Sequence, residues 1–450
     1  MMGLYQNHRQ QQDLVSVEEL VPKDHFLRFV EESIDFSFID QKIQPYYCSN
    51  NGRPSIPPIQ LFKMMFIGYF YGIRSERQLE KEIKMNIAYR WFLGLSLTDK
   101  VPDHSTISFN RHTRFTNTAI FEEIFDEIVL QAKEHRMVDG RILMTDSTHV
   151  KANANKNKFI RQAKSPKVRA YMDELEAAVQ EDRIQHGKKP LKPRKEKTKQ
   201  TDGVKRVSKT DPESGFLMRD GKPRGFFYLD HRTVDSKYNI VTDTFVTPGN
   251  LPDSEPYLAR LHVQKEKFGF PIEAVALDSG YFTGHICKHL CEENIYMVMG
   301  YRRFGNQKKS LPKRKFKYVK DLDAFVCPMG VKLSYSTTDR EGYRHYKAPK
   351  EQCQNCPLQN ECTTSKQKQR EITQHIWEEY KEVARANKRT AIGKKLYKAR
   401  SYTIERSFAD AKELHGFRYA RMRGVKSVQE QAYLTAACQN MKKIALHLAQ

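Results

Sequence analysis

The sequence predicts a mixed α/β protein: an α/β core, preceded by an all-helical N-terminal domain and interrupted by a cysteine-rich insertion. Three observations predict it. The first 138 residues carry apolar side chains at helical spacing, two short apolar runs each end in an acid (Asp146 and Asp278), and four of the 8 cysteines fall between Cys327 and Cys362. A chain of 450 residues is also long for one core, so two or three domains are expected.

Residues 1–138 read as the helical domain because the stretches 15–30 and 59–71 are periodic and Pro and Gly punctuate the gaps, as at Asn51 and Gly52. Ser75 opens a further run with Gln78 in the capping-box position, and Asp103 caps a helix through Thr106, Ile107, Phe109 and Arg114. Short helices joined tightly suggest a helix-turn-helix-like unit, in which His104, Ser105, Ser108 and Arg111 would face DNA bases. Mutual packing of short amphipathic helices is the alternative.

From Gly140 the texture changes. Ile142, Leu143 and Met144 read as a buried central strand with Asp146 at its exit. Residues 165–184 place Val168, Tyr171, Met172, Leu175 and Val179 on one helical side and lead into the basic linker KKPLKPRKEKTKQTD at 188–202, so 156–224 is expected as a helical and basic insertion. The stretches 225–234 and 239–246 are rich in aromatic and β-branched residues and form a hairpin signature around Asp235, Ser236 and Lys237. Asp253 is placed to cap a helix reaching Phe268, with a catalytic role as the alternative. A second apolar run, 274–277, stops at Asp278, and a helix and a further strand through Tyr296 and Met299 favour a parallel arrangement. The first part of the core is thus 139–300. Residues 301–375 form the inserted module, and 376–450 hold two long helical patterns that complete the core, interrupted around 416–424.

Lys and Arg number 77 against 54 Asp and Glu, a formal charge of +23, which favours a polyanionic partner. No apolar run approaches the roughly 20 residues of a membrane span. The start MMGLYQNHRQQQD also lacks the apolar part of a signal peptide. A cytoplasmic, nucleoid-associated location with no membrane contact is therefore expected.

The acids fit phosphoryl transfer. Two divalent ions roughly 3.5–4 Å apart activate a nucleophilic oxygen and neutralise a leaving one, and they need a small cluster of carboxylates. Asp146 and Asp278 both follow apolar strands, at the sheet edge where open α/β folds place ligands. A third acid, Glu405, borders the apolar stripe of Ile404, Phe408 and Ala411. Seven helical residues turn through about 700°, so Glu405 and Lys412 share one edge, the first suited to metal and the second to phosphate. Taken singly, each acid is an ordinary strand-end or helix-surface carboxylate; the combination carries the reading.

The motifs TDSTHVKANAN at 145–155, TPGNLPDSE from Thr247, LDSGYF at 277–282 and RSYTIERSFADAKELHGFRYARMRG from Arg400 resemble the DDE transposases of bacterial insertion sequences, specifically the insertion-sequence eleven-eighty-two group. The resemblance covers nearly the whole chain. It implies a ribonuclease H-like core in which Asp146, Asp278 and Glu405 hold magnesium, with manganese as an alternative. It also implies double-stranded DNA, element ends and target, as the partner, engaged by a homodimer. The superfamily's signature of Tyr, two residues, Arg, three residues, Glu, six residues, Lys is matched by Tyr397, Arg400, Glu405 and Lys412, except that four residues separate Arg400 from Glu405; the match implies that Tyr397 and Arg400, like Lys412, contact DNA. The N-terminal helices resemble an InsH-type end-recognition domain entered through GRPSIPPIQLFKMM at 52–65. Lys412, Arg418, Arg421 and Arg423 are then candidates for terminal phosphates, although a basic helix end also complements a helix dipole.

Cys327, Cys353, Cys356 and Cys362 give a C…CxxC…C set suited to tetrahedral zinc, which would staple a zinc-ribbon-like insertion with little apolar content. Unligated thiols and an iron–sulfur cluster are the alternatives. Two other functions share the basic surface: a ribonuclease H-like nuclease or resolvase, and a non-catalytic DNA-binding regulator derived from a transposase.

Overall fold

Helices fill the first third of the computed structural model, which describes residues 11–12, 14–48, 55–164, 171–192, 201–218, 224–301 and 310–449. They are α1 (Val17–Leu20), α2 (Phe26–Ser33), α3 (Phe38–Ile43), α4 (Pro58–Phe70), α5 (Glu76–Met85), α6 (Ile87–Phe92), α7 (His104–His112) and α8 (Ile120–Glu134). Asp103 caps α7 as expected, its carboxylate accepting from Ser105 N at 2.7 Å. Ser75 caps α5, but the Gln78 side chain turns to Glu82 rather than closing a capping box. The gap at Asn51 and Gly52, and the start of the 52–65 motif, lie outside the described residues.

The core follows as β1 (Ile142–Lys151), β2 (Phe159–Lys164), α9 (Met172–Gln185), β3 (Thr201–Ser208), β4 (Gly215–Leu217), β5 (Gly225–Asp235), β6 (Val241–Pro248), α10 (Tyr257–Phe268), β7 (Ala274–Leu277), α11 (Gly284–Glu292) and β8 (Tyr296–Met299). The central sheet runs β6-β5-β1-β7-β8, with β4 also paired to β5. β1, β5 and β6 are antiparallel neighbours, whereas β7 and β8 continue parallel to β1. This is the ribonuclease H-like arrangement, and β5 is buried along its whole length, as a strand covered on both faces should be.

Two local expectations need correction. Asp146 does not end its strand: β1 runs on to Lys151, because its pairing with β5 continues after the parallel pairing with β7 stops at Thr145↔Leu277. Asp253 is not a helix cap, since α10 begins only at Tyr257 with Pro256 in the cap position. Within 156–224 the helix expected from 165 is described as α9 from Met172, and β2 and β3, which precede and follow it in sequence, pair with each other. Residues 193–200, most of the expected linker, lie outside the described residues.

Beyond the core, β9 (Lys317–Val319), β10 (Ala324–Val326), β11 (Lys332–Thr338), β12 (Tyr343–Lys347), α12 (Lys350–Gln354), α13 (Gln359–Cys362) and β13 (Glu371–His375) form a second, antiparallel sheet in the order β13-β12-β11-β10-β9. Its small apolar cluster centres on Phe316, Phe325, Leu333 and Tyr346. The chain ends in α14 (Glu378–Arg389), α15 (Ala391–Ala399), α16 (Ile404–Glu413) and α17 (Val425–Leu448). α17 is wrapped rather than amphipathic: Leu434, Ala436, Ala437, Cys438 and Met441 are all buried. It packs on α2, α4, α8 and β6, so one apolar cluster contains residues from Val21 to Ala445. Among the described residues no helix is long and apolar enough to cross a membrane.

Candidate active site

Sheet register brings the two aspartates together. Thr145 and Leu277 are the last partners of the parallel pair β1 and β7, so Asp146 and Asp278 are the next residue on each of two adjacent strands. Arg400 sits between them, Nη2 donating to Asp146 Oδ2 at 2.6 Å and Nη1 lying 3.9 Å from Asp278 Oδ1. The guanidinium is 4% exposed, the Asp146 carboxylate 20% and that of Asp278 46%. Burial pushes the Asp146 carboxyl up to about 6, against the pull of Arg400 and of the Ser147 amide; Asp278 and Asp253 push it further up. The pocket thus holds more negative charge than one arginine neutralises, which is the condition for binding cations.

Glu405 reaches the same place from α16. A cavity of about 420 Å³ is lined by Asp146, Asp278, Tyr397, Lys398, Arg400, Ser401 and Glu405. The extra residue in the Arg400-to-Glu405 spacing is absorbed by the turn between α15 and α16, where Glu405 N donates to Arg400 O at 3.1 Å. α16 is held on the sheet by the buried Arg232 of β5, opposite Asp146 in register, whose Nη1 donates to Ser407 Oγ (3.0 Å) and to Gln439 Oε1 of α17 (2.6 Å). Asp146 and Thr148 share a face of β1, and Lys412 Nζ donates to Thr148 Oγ1, so Lys412 lies along the same groove. After α16 the chain returns to β1, with Ala420 N donating to Lys151 O at 2.8 Å.

The other expected DNA contacts are dispersed. Tyr397 lies under Lys388, whose Nζ is 3.7 Å from the ring centre, and beside Arg400. Arg418 is exposed and paired with Glu413, while Arg423 Nε donates to Asn153 O at 3.0 Å. Arg421 turns inward, donating to Gly68 O at 3.0 Å and stacking on Tyr69. Arg111 pairs with Glu76 at 2.8 Å and meets Met422. His104 is bound to Glu80 through both its amide and its ring nitrogen. His104, Ser105, Ser108, Arg111 and Arg421 nevertheless line one cleft of about 510 Å³ between α4, α5, α7 and the 421–422 segment, together with Arg74 and Arg77.

Asp253, for which the sequence favours a cap over a catalytic role, lies close to this site. Its Oδ1 accepts from Ser147 Oγ at 2.7 Å, on the sheet face opposite Asp146, and its charge acts on Asp146. A side chain at Gly280 would meet Asp253 Oδ2 at 2.9 Å, which explains the glycine of LDSGYF. The only local signal was an acid before a helix, which reads as a cap.

Cys327, Cys353, Cys356 and Cys362 line one small cavity beneath β11. Among the described residues, however, the two groups whose ligand atoms lie within 4.8 Å of one another are Glu174/His285/His289 and Glu80/Asp103/His104, and the thiols are not among them.

Such a sheet, with paired acids at the parallel edge and a third supplied by a C-terminal helix, defines a ribonuclease H-like enzyme of the DDE class. Family comparison agrees at both ends of the chain: residues 15–113 match a transposase domain (DUF772) and residues 326–445 match a transposase DDE domain. The protein is a DDE transposase of insertion-sequence type, a DNA-processing enzyme. No curated protein matches the chain. Among solved structures it is similar to the piggyBac transposase synaptic complex with hairpin DNA, at 9% identity and a TM-score of 0.34 over 94% of this chain and 74% of that one. It is also similar to the Mos1 transposase paired-end complex with left transposon end, at 12% identity and 0.17 over 57% and 64%. Both likenesses are too distant to define the fold.

Proposed function

We propose that this transposase binds the inverted-repeat ends of its element as a dimer on double-stranded DNA, and that Asp146, Asp278 and Glu405 hold two magnesium ions, or manganese, for phosphodiester hydrolysis and strand transfer. The observation that carries the reading is the convergence of the three carboxylates on one cavity, two of them abreast on parallel strands. Magnesium bound there would supply charge neutralisation and activation of the attacking oxygen. The chain's own groups do the rest. Arg400 holds Asp146 in place until a cation takes its carboxylate, and Lys412 stands along the groove to take a phosphate.

The cleft between α5, α7 and Arg421 supports end recognition, because it gathers Arg74, Arg77, His104 and Arg111 beside the segment that follows the catalytic helix. The 1–138 helices are then the end-binding part, 139–300 and 376–450 the catalytic core, and 301–375 a module in which the four cysteines take zinc after closing around it. A nucleoid-associated location follows from DNA binding.

The test is incubation with Mg2+ and DNA bearing the element's ends. Cleavage and joining to a target are expected, and Asp146→Ala, Asp278→Ala and Glu405→Ala should each lose about 10³-fold or more in rate while keeping end binding in gel shifts. Metal-dependent joining that survives Asp146→Ala would overturn the assignment.

A further inference from the structure

A second cluster of metal-ligating side chains lies outside the acidic cavity. His285 and His289 are four residues apart on α11 and therefore share one face, one turn apart, with ring centres 4.6 Å apart. Glu174, in the first turn of α9, extends between them: its Oε2 is 3.1 Å from His285 Nδ1 and 3.0 Å from His289 Nε2. The three ligand atoms all lie within 4.8 Å of one another. Atoms bound at roughly 2.0–2.1 Å around a tetrahedral ion stand about 3.4 Å apart, so a small relaxation admits one. Lys288 takes the other carboxylate oxygen, Oε1, at 2.7 Å and leaves Oε2 to the histidines.

The surroundings favour nitrogen ligation. Tyr171 stacks on His285 with ring centres 4.9 Å apart, and Trp377 flanks it. His285 Nδ1 is buried and makes no hydrogen bond of acceptable geometry, despite the nearness of Oε2. Two imidazoles and one carboxylate form a set for a borderline transition ion, unlike the all-oxygen set of Asp146, Asp278 and Glu405.

We infer that Glu174, His285 and His289 bind a divalent transition metal of the zinc class, with the fourth position open to water. The ion would clamp α9, which lies between β2 and β3, onto α11, the helix that starts six residues after Asp278. It is separate from the proposed cysteine site and from the catalytic magnesium.

Full-length protein stripped with chelator and titrated with Co2+ should develop two spectra. One carries the intense thiolate charge-transfer band and disappears in Cys353→Ser. The other, a weaker visible band without thiolate character, persists in Cys353→Ser and disappears in His289→Ala. Zinc affinity in the Cys353→Ser background should fall at least about tenfold on adding Glu174→Gln, which keeps the side chain's size and one acceptor oxygen but removes the charge. Zinc should also raise the Tm of that background and not that of its His289→Ala derivative. Equal zinc stoichiometry and affinity with and without His289→Ala, in proteins of matching circular dichroism, would overturn the site and leave an ion-pair cluster between the two helices.

Discussion

Arg400 joins the two aspartates at a depth where water reaches only 4% of its side chain. A buried carboxylate that loses its partner is destabilising, and Asp146 already sits high in its titration range. Arg400→Ala should therefore destabilise the metal-free protein by ~3 kcal/mol. Added Mg2+ should recover part of the loss by replacing the missing positive charge; urea unfolding in EDTA and in excess Mg2+ measures both. At this scale the two aspartates were legible because a short apolar run stopped by an acid is a local pattern. Arg400 stands one residue off the signature's spacing, which a turn between two helices absorbs. For Asp253 the local pattern favours a cap over a catalytic role, because its contact with Ser147 spans more than a hundred residues.

Among the elements, α16 carries Glu405 and ends against the N-terminal helices. His415, just past its end, is buried, with Nδ1 donating to Tyr69 O at 2.9 Å, and burial pushes its imidazole down to about 4. The unfolded chain takes up this proton near pH 6.5, whereas the native protein resists until about 4. Stability from this group is intact above pH 6.5 and declines as pH falls through that window, by up to about 3 kcal/mol. His415→Asn, which can donate from the same position, should remove one proton from the pH dependence of unfolding between pH 4 and 6.5; unfolding free energies across that range check it. His231 and His375 are lowered for the same reason and should keep their share. Periodicity made α4, α7, α10 and α17 readable. β9 to β13 were not: strands of three to seven residues with interleaved lysines have too little pattern, and their pairing is decided by neighbours distant in the chain.

Across the whole molecule, α17 serves as the common floor of the helical layer and the sheet. Ala437 is fully buried where these meet, so Ala437→Leu should overpack the junction and cost about 1–3 kcal/mol. Trp91 packs on the same apolar cluster from α6, far away in sequence. In a Trp377→Phe background, its fluorescence and far-UV circular dichroism should report the same shift in urea midpoint. A shift in circular dichroism without one at Trp91 would show the N-terminal helices unfolding separately. Sequence patterning predicted a helical layer and an α/β core, but not this shared interior, because apolar periodicity shows which face is buried and not what covers it.

The pairing of Thr145 with Leu277 also sets how this enzyme can tolerate change in length. One residue inserted or deleted between Ile142 and Asp146 would carry the first acid along its strand by about 3.3 Å and turn it to the opposite side of the sheet. Lengthening a surface connection elsewhere leaves that alignment untouched. The alignment of Asp146 with Asp278 is thus secured by interstrand hydrogen bonds, and large segments between the acids can be accommodated without loosening it.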